Sequence, residues 1–193
     1  MFNIIIFITG TPGVGKTTIS KVLQNQLNSS YNVKLIEINN LAIENNLIMD
    51  ENYEKDYKII DIDKLNIFFQ KDINTFLKLD NNNPKAIIVE GHLSHFCLNP
   101  DFVFVLRLDP EILKKRLLHR NYPSNKIKEN LEAESLAICS NEAYELHKNK
   151  VHEIDTSFLD TIQLLNVILE VINNKKEYPP GNINYMDWLV NNS

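Results

Sequence analysis

The sequence predicts an α/β fold with a five-stranded parallel sheet and helices on both faces. Two observations predict it. Short apolar runs without polar alternation recur along the chain, as in strands that are covered on both faces. Stretches with a helical spacing of apolar residues separate those runs, and this alternation favours a parallel sheet. The 193 residues, of which 44% are hydrophobic, suffice for one core, so a single domain is predicted over residues 1–193.

The first strand is predicted over Asn3–Ile8, a continuous apolar run. This run is too short to span a bilayer and lacks a signal-type cleavage site, so it is interpreted as a buried strand. Four further runs have the same character and are predicted to complete the sheet: Val33–Ile38, Ala86–Glu90, Phe102–Leu106 and Val151–Asp155.

Six helices are predicted between and after the strands. Pro110 lies where a helix should start. Asp80–Pro84 is expected to end the helix that begins at Lys64. Ile48–Asp63 has little periodicity and is expected to be mobile, whereas residues 175–193 are expected to dock on the body as a tail. The predicted helices, with Ile127–Lys148 the longest, are Thr17–Asn28, Asn39–Leu47, Lys64–Leu79, Glu111–His119, Ile127–Lys148 and Phe158–Ile172.

Charge and cysteine content exclude several function classes. The net charge is -5 and basic runs are short, so neither nucleic acid nor an anionic membrane is indicated as an obligate partner. Cys97 and Cys139 are the two cysteines and form no CxxC pair, which argues against a disulfide scaffold and a zinc site. A reducing cytoplasm is the expected location.

A glycine-rich loop follows the first strand and opens the first helix. It reads Gly-Thr-Pro-Gly-Val-Gly-Lys-Thr from Gly10 to Thr17. Gly10, Gly13 and Gly15 allow the backbone to turn its amide N–H groups inward, and the helix that begins near Lys16 adds its positive dipole end. This arrangement predicts a phosphate-binding loop.

The residues that end this loop have the chemistry of a nucleoside triphosphate site. Lys16 is expected to place its charge on the β- and γ-phosphates of ATP. Thr17 is expected to coordinate Mg²⁺, and Thr18 to contact the α-phosphate. ATP and Mg²⁺ are therefore the predicted cofactors.

The chain length and the remaining motifs narrow the class of phosphate-loop protein. The Asn-Lys-x-Asp tetrapeptide of regulatory GTPases is absent, and motor and transporter ATPases need a longer chain. Small nucleoside-monophosphate kinases remain, and these need an acceptor-binding arm and an arginine-bearing lid. Arg116 and Arg120 are four residues apart on one predicted helix face, so both guanidinium groups are expected to converge on one point. The alternative is a solvated helix end.

These motifs resemble the adenylate kinase isoenzyme 6, or CINAP, family and the archaeal proteins named adenylate kinases. The resemblance spans residues 1 to about 172. It depends on Gly10–Thr18, Val89–His92, Phe104–Arg107, Arg116–Tyr122, Lys126–Asn130 and Glu134.

The resemblance implies that separate segments of the chain bind the acceptor and ATP. Residues 39–65 are expected to be the monophosphate-binding arm, with AMP or a related monophosphate as acceptor, and residues 119–128 the lid over ATP. It also implies ATP hydrolysis and a role in maturation of the small ribosomal subunit, with a small-subunit ribosomal protein and the immature subunit as partners. The chain departs from eukaryotic members by having Glu90 where they have Asp, and Ile43 where they have an arginine in the arm.

Two residues, one at the end of the third sheet strand and one just beyond it, are candidates for catalysis. Glu90 ends that strand and is expected to hold Mg²⁺ through water; the alternative is a solvated acid. His92 is expected to orient a water for hydrolysis, and a structural histidine is the alternative. No role is predicted for the other four histidines. With Lys16, Arg116 and Arg120, these two residues form the predicted catalytic set.

Three functions remain open on the sequence. The leading one is a nucleoside-monophosphate kinase that is also an assembly ATPase. The second is an assembly factor whose kinase activity is vestigial, which Ile43 favours. The third is a kinase of a small metabolite such as shikimate.

Overall fold

A computed structural model describes residues 2–52, 57–79 and 83–192. Five parallel strands form the main sheet in the order β2-β5-β1-β6-β7. This arrangement confirms the predicted sheet and places β1 at its centre. The strands are β1 Ile4–Thr9, β2 Asn32–Glu37, β5 Lys85–Glu90, β6 Phe102–Arg107 and β7 Val151–Asp155.

Helices cover both faces of the sheet, as predicted. Alternate β1 residues enter two different cores, with Ile6 and Ile8 on one face and Phe7 on the other. Helices α1, α4, α5 and α7 contribute to the first core, and α2, α3 and α6 to the second. The helices are α1 Lys16–Leu27, α2 Ile38–Glu44, α3 Ile62–Leu77, α4 Pro110–His119, α5 Ser124–Ser135, α6 Ile138–His147, α7 Thr161–Ile172 and α8 Met186–Asn192.

Two helix starts show why these segments fold locally. The Asp109 carboxylate accepts hydrogen bonds from the first amides of α4, and Pro110 occupies the first turn, where no N–H is needed. Asp160 and Gln163 form a reciprocal capping box at the start of α7. Both helices therefore begin where their sequences supply partners for otherwise unsatisfied amides.

The prediction of an irregular segment over Ile48–Asp63 was wrong where the structure describes it. β3 Ile48–Asn52 pairs antiparallel with β4 Tyr57–Ile60. A register shift between Ile48 and Asp50 interrupts the pairing, and such an irregularity hides the two-residue period of a strand. The expected mobility falls partly on residues 53–56, which lie outside the described residues.

The prediction of one helix over Ile127–Lys148 was also wrong. Ala137 has a left-handed backbone with φ of 54°, which separates α5 from α6. Alanine has a high helix propensity, so its presence at this position does not predict a break. The change of direction lets Glu134 and Ser140 both point into the interior, where each is buried.

The C-terminal tail contacts the body at several points. The Glu153 amide donates to the Tyr178 carbonyl at 2.8 Å, and the Gly181 amide donates to Glu153 Oε2 at 2.9 Å. Trp188 donates from Nε1 to Glu111 Oε1 at 2.7 Å. The tail therefore lies along β7 and reaches the first turn of α4.

Within the described residues, no helix combines the length and apolar character that crossing a membrane requires.

Candidate active site

The glycine-rich loop joins the carboxyl end of β1 to the amino end of α1. Gly10, Gly13 and Gly15 all have positive φ, at 130°, 99° and 111°. A side chain at Gly10 would also collide with the Leu106 carbonyl. Because the loop leads directly into the helix that begins at Lys16, its amides and the helix dipole face one anion-binding point.

Lys16 lies at the base of this loop with 8% of its surface exposed. Its ammonium group donates to the Gly10 and Thr11 carbonyl oxygens at 2.8 and 3.0 Å. Burial lowers the pKa of Lys16 to about 8, with nearby carboxylates opposing the shift. A triphosphate would supply the negative charge that stabilises the protonated amine.

Glu90 faces the loop because of strand register. β5 is parallel to β1, with Ile8 opposite Glu90, so the carboxylate comes beside the start of the loop. Glu90 Oε1 accepts a hydrogen bond from the Thr17 hydroxyl at 3.0 Å. Burial raises the pKa of Glu90, and the bond from Thr17 opposes that shift. The structure thus joins two residues that lie 73 positions apart.

The Thr17 and Glu90 oxygens fit a Mg²⁺ ion of the kind that bridges phosphates. Among the described residues, no group of three or more His, Cys, Asp or Glu side chains is arranged to hold a metal. Mg²⁺ does not need such a cage, because it keeps several waters and takes phosphate oxygens beside one or two protein ligands. The Thr17 hydroxyl could be such a ligand, and the Glu90 carboxylate, one hydrogen bond away, could hold the ion through its water shell.

His92 lines the cavity beside the loop. Burial, together with the nearby Lys16 charge, lowers its pKa to about 4. The imidazole is therefore neutral at pH 7, so it can orient a water or a phosphate by hydrogen bonding but brings no positive charge.

The cavity next to the loop has a volume of about 1060 Å³. The loop, the residues after β5, α2, the β3–β4 hairpin and helices α4 to α6 all contribute to its wall. Its side nearest α2 is largely apolar and carries one amide, from Asn39; the apolar residues are Ala42, Ile43, Ile48, Ile60 and Phe96. Ile43 thus lines the cavity at the point where the resemblance leads one to expect an arginine.

The two predicted lid arginines have different positions. Arg116 donates from Nη1 to the Gly13 and Val14 carbonyl oxygens at 3.3 and 3.4 Å. Arg120 caps the C-terminus of α4 and lines the cavity. Burial lowers the pKa of Arg116, and the charge of Arg120 adds to that shift, so the two groups interact. Arg116 thus hydrogen-bonds to the loop and Arg120 lines the cavity, and the convergence of both groups on one bound ligand stays a prediction.

A buried ionic cluster behind the loop was missed as a functional feature. The Thr11 hydroxyl donates to Glu134, which also accepts from Arg107 Nε at 2.8 Å. A second nitrogen of Arg107 pairs with Glu153. Arg107 and Glu134 were noticed only as parts of the family resemblance, because nothing in a linear pattern joins residues 27 positions apart.

A second chain of polar groups runs behind the same cavity. Thr9 Oγ1 lies 2.7 Å from His95 Nδ1, and His95 Nε2 lies 3.1 Å from Glu142 Oε2. No role was predicted for His95 or Glu142. The three residues come from β1, the short turn after β5 and helix α6, and no sequence signal links them.

Known proteins resemble this chain over most of its length. The model of the AAA domain family matches residues 6–137. A protein of Methanothermobacter thermautotrophicus named "Putative adenylate kinase" is 36% identical over 96% of this chain and 99% of its own length. Proteins of the same name are 40% identical in Methanococcus maripaludis, over 95% and 96% of the two chains, and 42% in Methanocaldococcus jannaschii, over 89% and 88%.

Solved structures show the same fold at low identity. Thymidylate kinase from Candida albicans superposes with a TM-score of 0.59, at 15% identity, over 90% of this chain and 92% of that one. An uncharacterized protein from Eubacterium ventriosum has a TM-score of 0.52 at 16% identity, over 89% and 99%. These likenesses concern the fold, and they agree with the predicted fold of a nucleoside-monophosphate kinase.

Proposed function

The chain belongs to the AAA domain family and to the group of archaeal proteins named "Putative adenylate kinase", and on that premise we propose that it transfers the γ-phosphate of ATP to AMP or a related nucleoside monophosphate. One observation carries the proposal. The buried Lys16, the glycine loop and the Thr17–Glu90 pair form the wall of a cavity large enough for two substrates.

Each loop residue has a definite part in this proposal. Lys16 exchanges its two carbonyl partners for phosphate oxygens and neutralises charge on the group that is transferred. Thr18, at the first turn of α1, contacts the α-phosphate. Mg²⁺, held by Thr17 and through water by Glu90, would neutralise charge that develops on the β- and γ-phosphate oxygens.

The acceptor is assigned to the side of the cavity that α2 and the described part of the β3–β4 hairpin line, within the predicted arm of residues 39–65. Ile43, Ile48 and Ile60 give that side an apolar surface suited to a planar base, and Asn39 adds an amide that can donate or accept. Arg120 and residues 119–128 close over ATP. In the same scheme neutral His92 orients a water when no acceptor is bound.

A panel of acceptors tests the proposal. Transfer from ATP to AMP, CMP, UMP, GMP and shikimate is measured with the wild-type chain, with Lys16→Ala, and with Lys115→Ala as an exposed charge control on α4. We expect transfer to at least one monophosphate, loss of at least 100-fold in Lys16→Ala, and little change in the control. Transfer to shikimate alone, or full activity in Lys16→Ala, would overturn the proposal.

The second candidate is an ATPase that acts in small ribosomal subunit maturation with a vestigial kinase activity. The observation that favours it is Ile43 on the acceptor wall, where an arginine would have supplied charge for a monophosphate. ATP hydrolysis that exceeds transfer to every monophosphate, together with ATP-dependent binding to immature small subunits, would favour this candidate. Failure to bind those subunits would remove the ribosomal role and leave the kinase.

A further inference from the structure

A relay of three side chains, two of them buried, ends in the wall of the proposed ATP cavity. It runs from Thr9 Oγ1 through the two ring nitrogens of His95 to Glu142 Oε2, over distances of 2.7 and 3.1 Å. The His147 ring nitrogen lies 2.7 Å from the His95 carbonyl oxygen, which fixes the backbone of that residue as well. The relay is thus a rigid support for whatever stands at its end.

The positions of the protons in the relay follow from charge. Burial lowers the pKa of His95 to about 3, so the ring is neutral at pH 7 and carries one proton. If that proton were on Nδ1, the lone pair of Nε2 would face the Glu142 carboxylate. The proton therefore belongs on Nε2, which donates to Glu142, and the single Thr9 hydroxyl proton goes to Nδ1 at 2.7 Å in preference to the His92 carbonyl oxygen at 3.3 Å.

The accessible end of the relay is the carboxylate. Thr9 has no exposed surface, so its hydroxyl cannot act as a nucleophile in the manner of a hydrolase triad. Glu142 has a side chain that is 42% exposed and lines the cavity together with Lys16 and His92. Thr9 and His95 therefore orient the Glu142 carboxylate, because that carboxylate is the member of the relay that a ligand in the cavity can reach.

A fixed carboxylate in this cavity discriminates between acceptors. It repels an anionic phosphate oxygen, and a phosphate acceptor has no need of a base because its oxygens are already deprotonated at the point of attack. Water carries a proton that must be removed as its oxygen bonds to phosphorus. A carboxylate held by one hydrogen bond at Oε2 is suited to that removal.

We propose that Glu142 is the general base for ATP hydrolysis in this cavity, with His95 and Thr9 as positioning residues. The proposal rests on the proposed function, because it requires ATP with its γ-phosphate at Lys16. The water oxygen bonds to the γ-phosphorus, and the bond from that phosphorus to the β–γ bridging oxygen breaks. The water proton passes to Glu142 and then to solvent, and ADP and inorganic phosphate are released.

Glu142→Gln separates hydrolysis from transfer. The amide oxygen can still accept from His95 Nε2, but it cannot take a proton at neutral pH. We expect phosphate release from ATP alone to fall by about 100-fold or more. Transfer to AMP and the KM for ATP should stay within about threefold of wild type. Glu170→Gln, an exposed carboxylate on α7, is the matched control and should leave both reactions unchanged.

His95→Gln tests the positioning role. Hydrolysis should fall while transfer and the ATP KM hold, and a variant that combines His95→Gln with Glu142→Gln should lose no more than Glu142→Gln alone. Thermal unfolding of each variant reports whether it is folded.

Three outcomes would overturn the inference: wild-type hydrolysis in Glu142→Gln, equal loss of hydrolysis and transfer, or a wild-type chain that transfers phosphate but hydrolyses no ATP. Each of these outcomes would leave the proposed kinase activity unaffected. If the wild-type chain transferred no phosphate to any acceptor, the proposed kinase function itself would be wrong.

Discussion

Arg116 Nη1 lies 3.3 Å from the carbonyl oxygen of Gly13, so a helix residue 103 positions later in the chain holds the phosphate loop. Arg120, one turn further on, lines the cavity. We therefore expect the two residues to affect ATP by different routes, Arg116 through the loop and Arg120 by contact. Both routes can be tested with lysine replacements.

We expect Arg120→Lys to weaken ATP binding by about 1–3 kcal/mol, because lysine keeps the charge but loses the planar fork and the stacking surface. Arg116→Lys should weaken it through a loosened loop. The losses should be non-additive in the double variant, since both residues serve one ligand. Isothermal titration calorimetry measures the ATP affinity of the two single variants and of the double variant, with Lys115→Gln as an exposed control. Wild-type affinity throughout would remove both arginines from the site.

The acceptor arm should respond to its ligand. AMP with a non-hydrolysable ATP analogue is expected to slow amide exchange in Asn39–Asn52 and Tyr57–Leu65, because closure over a bound base protects backbone amides. Mass-spectrometric exchange measures this, and Thr161–Ile172 in α7 provides an internal reference that should not change. If protection appears in residues 119–128 alone, AMP does not occupy the arm.

Acid should destabilise the fold through His95. Its pKa is lowered to about 3 by burial, whereas the unfolded chain takes up that proton near pH 6.5. The stabilisation is therefore complete above pH 6.5 and is lost as the pH falls toward 3. Between pH 7 and pH 5 the free energy of unfolding should drop by about 2 kcal/mol from this residue.

Urea titrations at several pH values measure the slope of the free energy of unfolding against pH. His95→Gln should flatten it by the same amount, and His119→Gln, at an exposed position on α4, should not. An unchanged slope in His95→Gln would mean that the ring is protonated in the folded state.

Ala137→Gly should stabilise the protein. Alanine with φ of 54° has a steric cost that glycine avoids, and the gain is expected to be about 0.5–1 kcal/mol after the greater entropy of glycine in the unfolded chain. Ala133→Gly, inside α5, is the matched control and should lose about 1 kcal/mol. The midpoint of urea unfolding distinguishes the two. A loss at Ala137 would indicate a helical conformation there.

Two spatial relationships in the candidate site follow from local patterns and strand order. The glycine loop follows from a motif between a strand and a helix. Glu90 comes to Thr17 because adjacent parallel strands end at the same edge, which an apolar run ending in an acid already suggests. In these cases the backbone geometry of one or two elements fixes the position of the side chain.

The parts that could not be predicted depend on tertiary contacts or on single backbone angles. Thr9 and His95 are 86 positions apart, and His95 and Glu142 are 47 apart, so no periodicity relates them. The left-handed Ala137 breaks a stretch that contains neither glycine nor proline and reads as one helix. One such angle redirects Ile138–His147, and with it Glu142, toward the cavity.

The hydrogen bond from Trp188 to Glu111 gives the protein a built-in optical reporter. The chain contains one tryptophan, and it lies in α8 against the amino end of α4, the helix whose other end carries Arg120. Any event that lifts the tail from α4 moves this indole from a partly buried setting into water, and its emission shifts to longer wavelength. Undocking of residues 175–193 can thus be followed in the unlabelled protein, with no competing indole elsewhere in the chain.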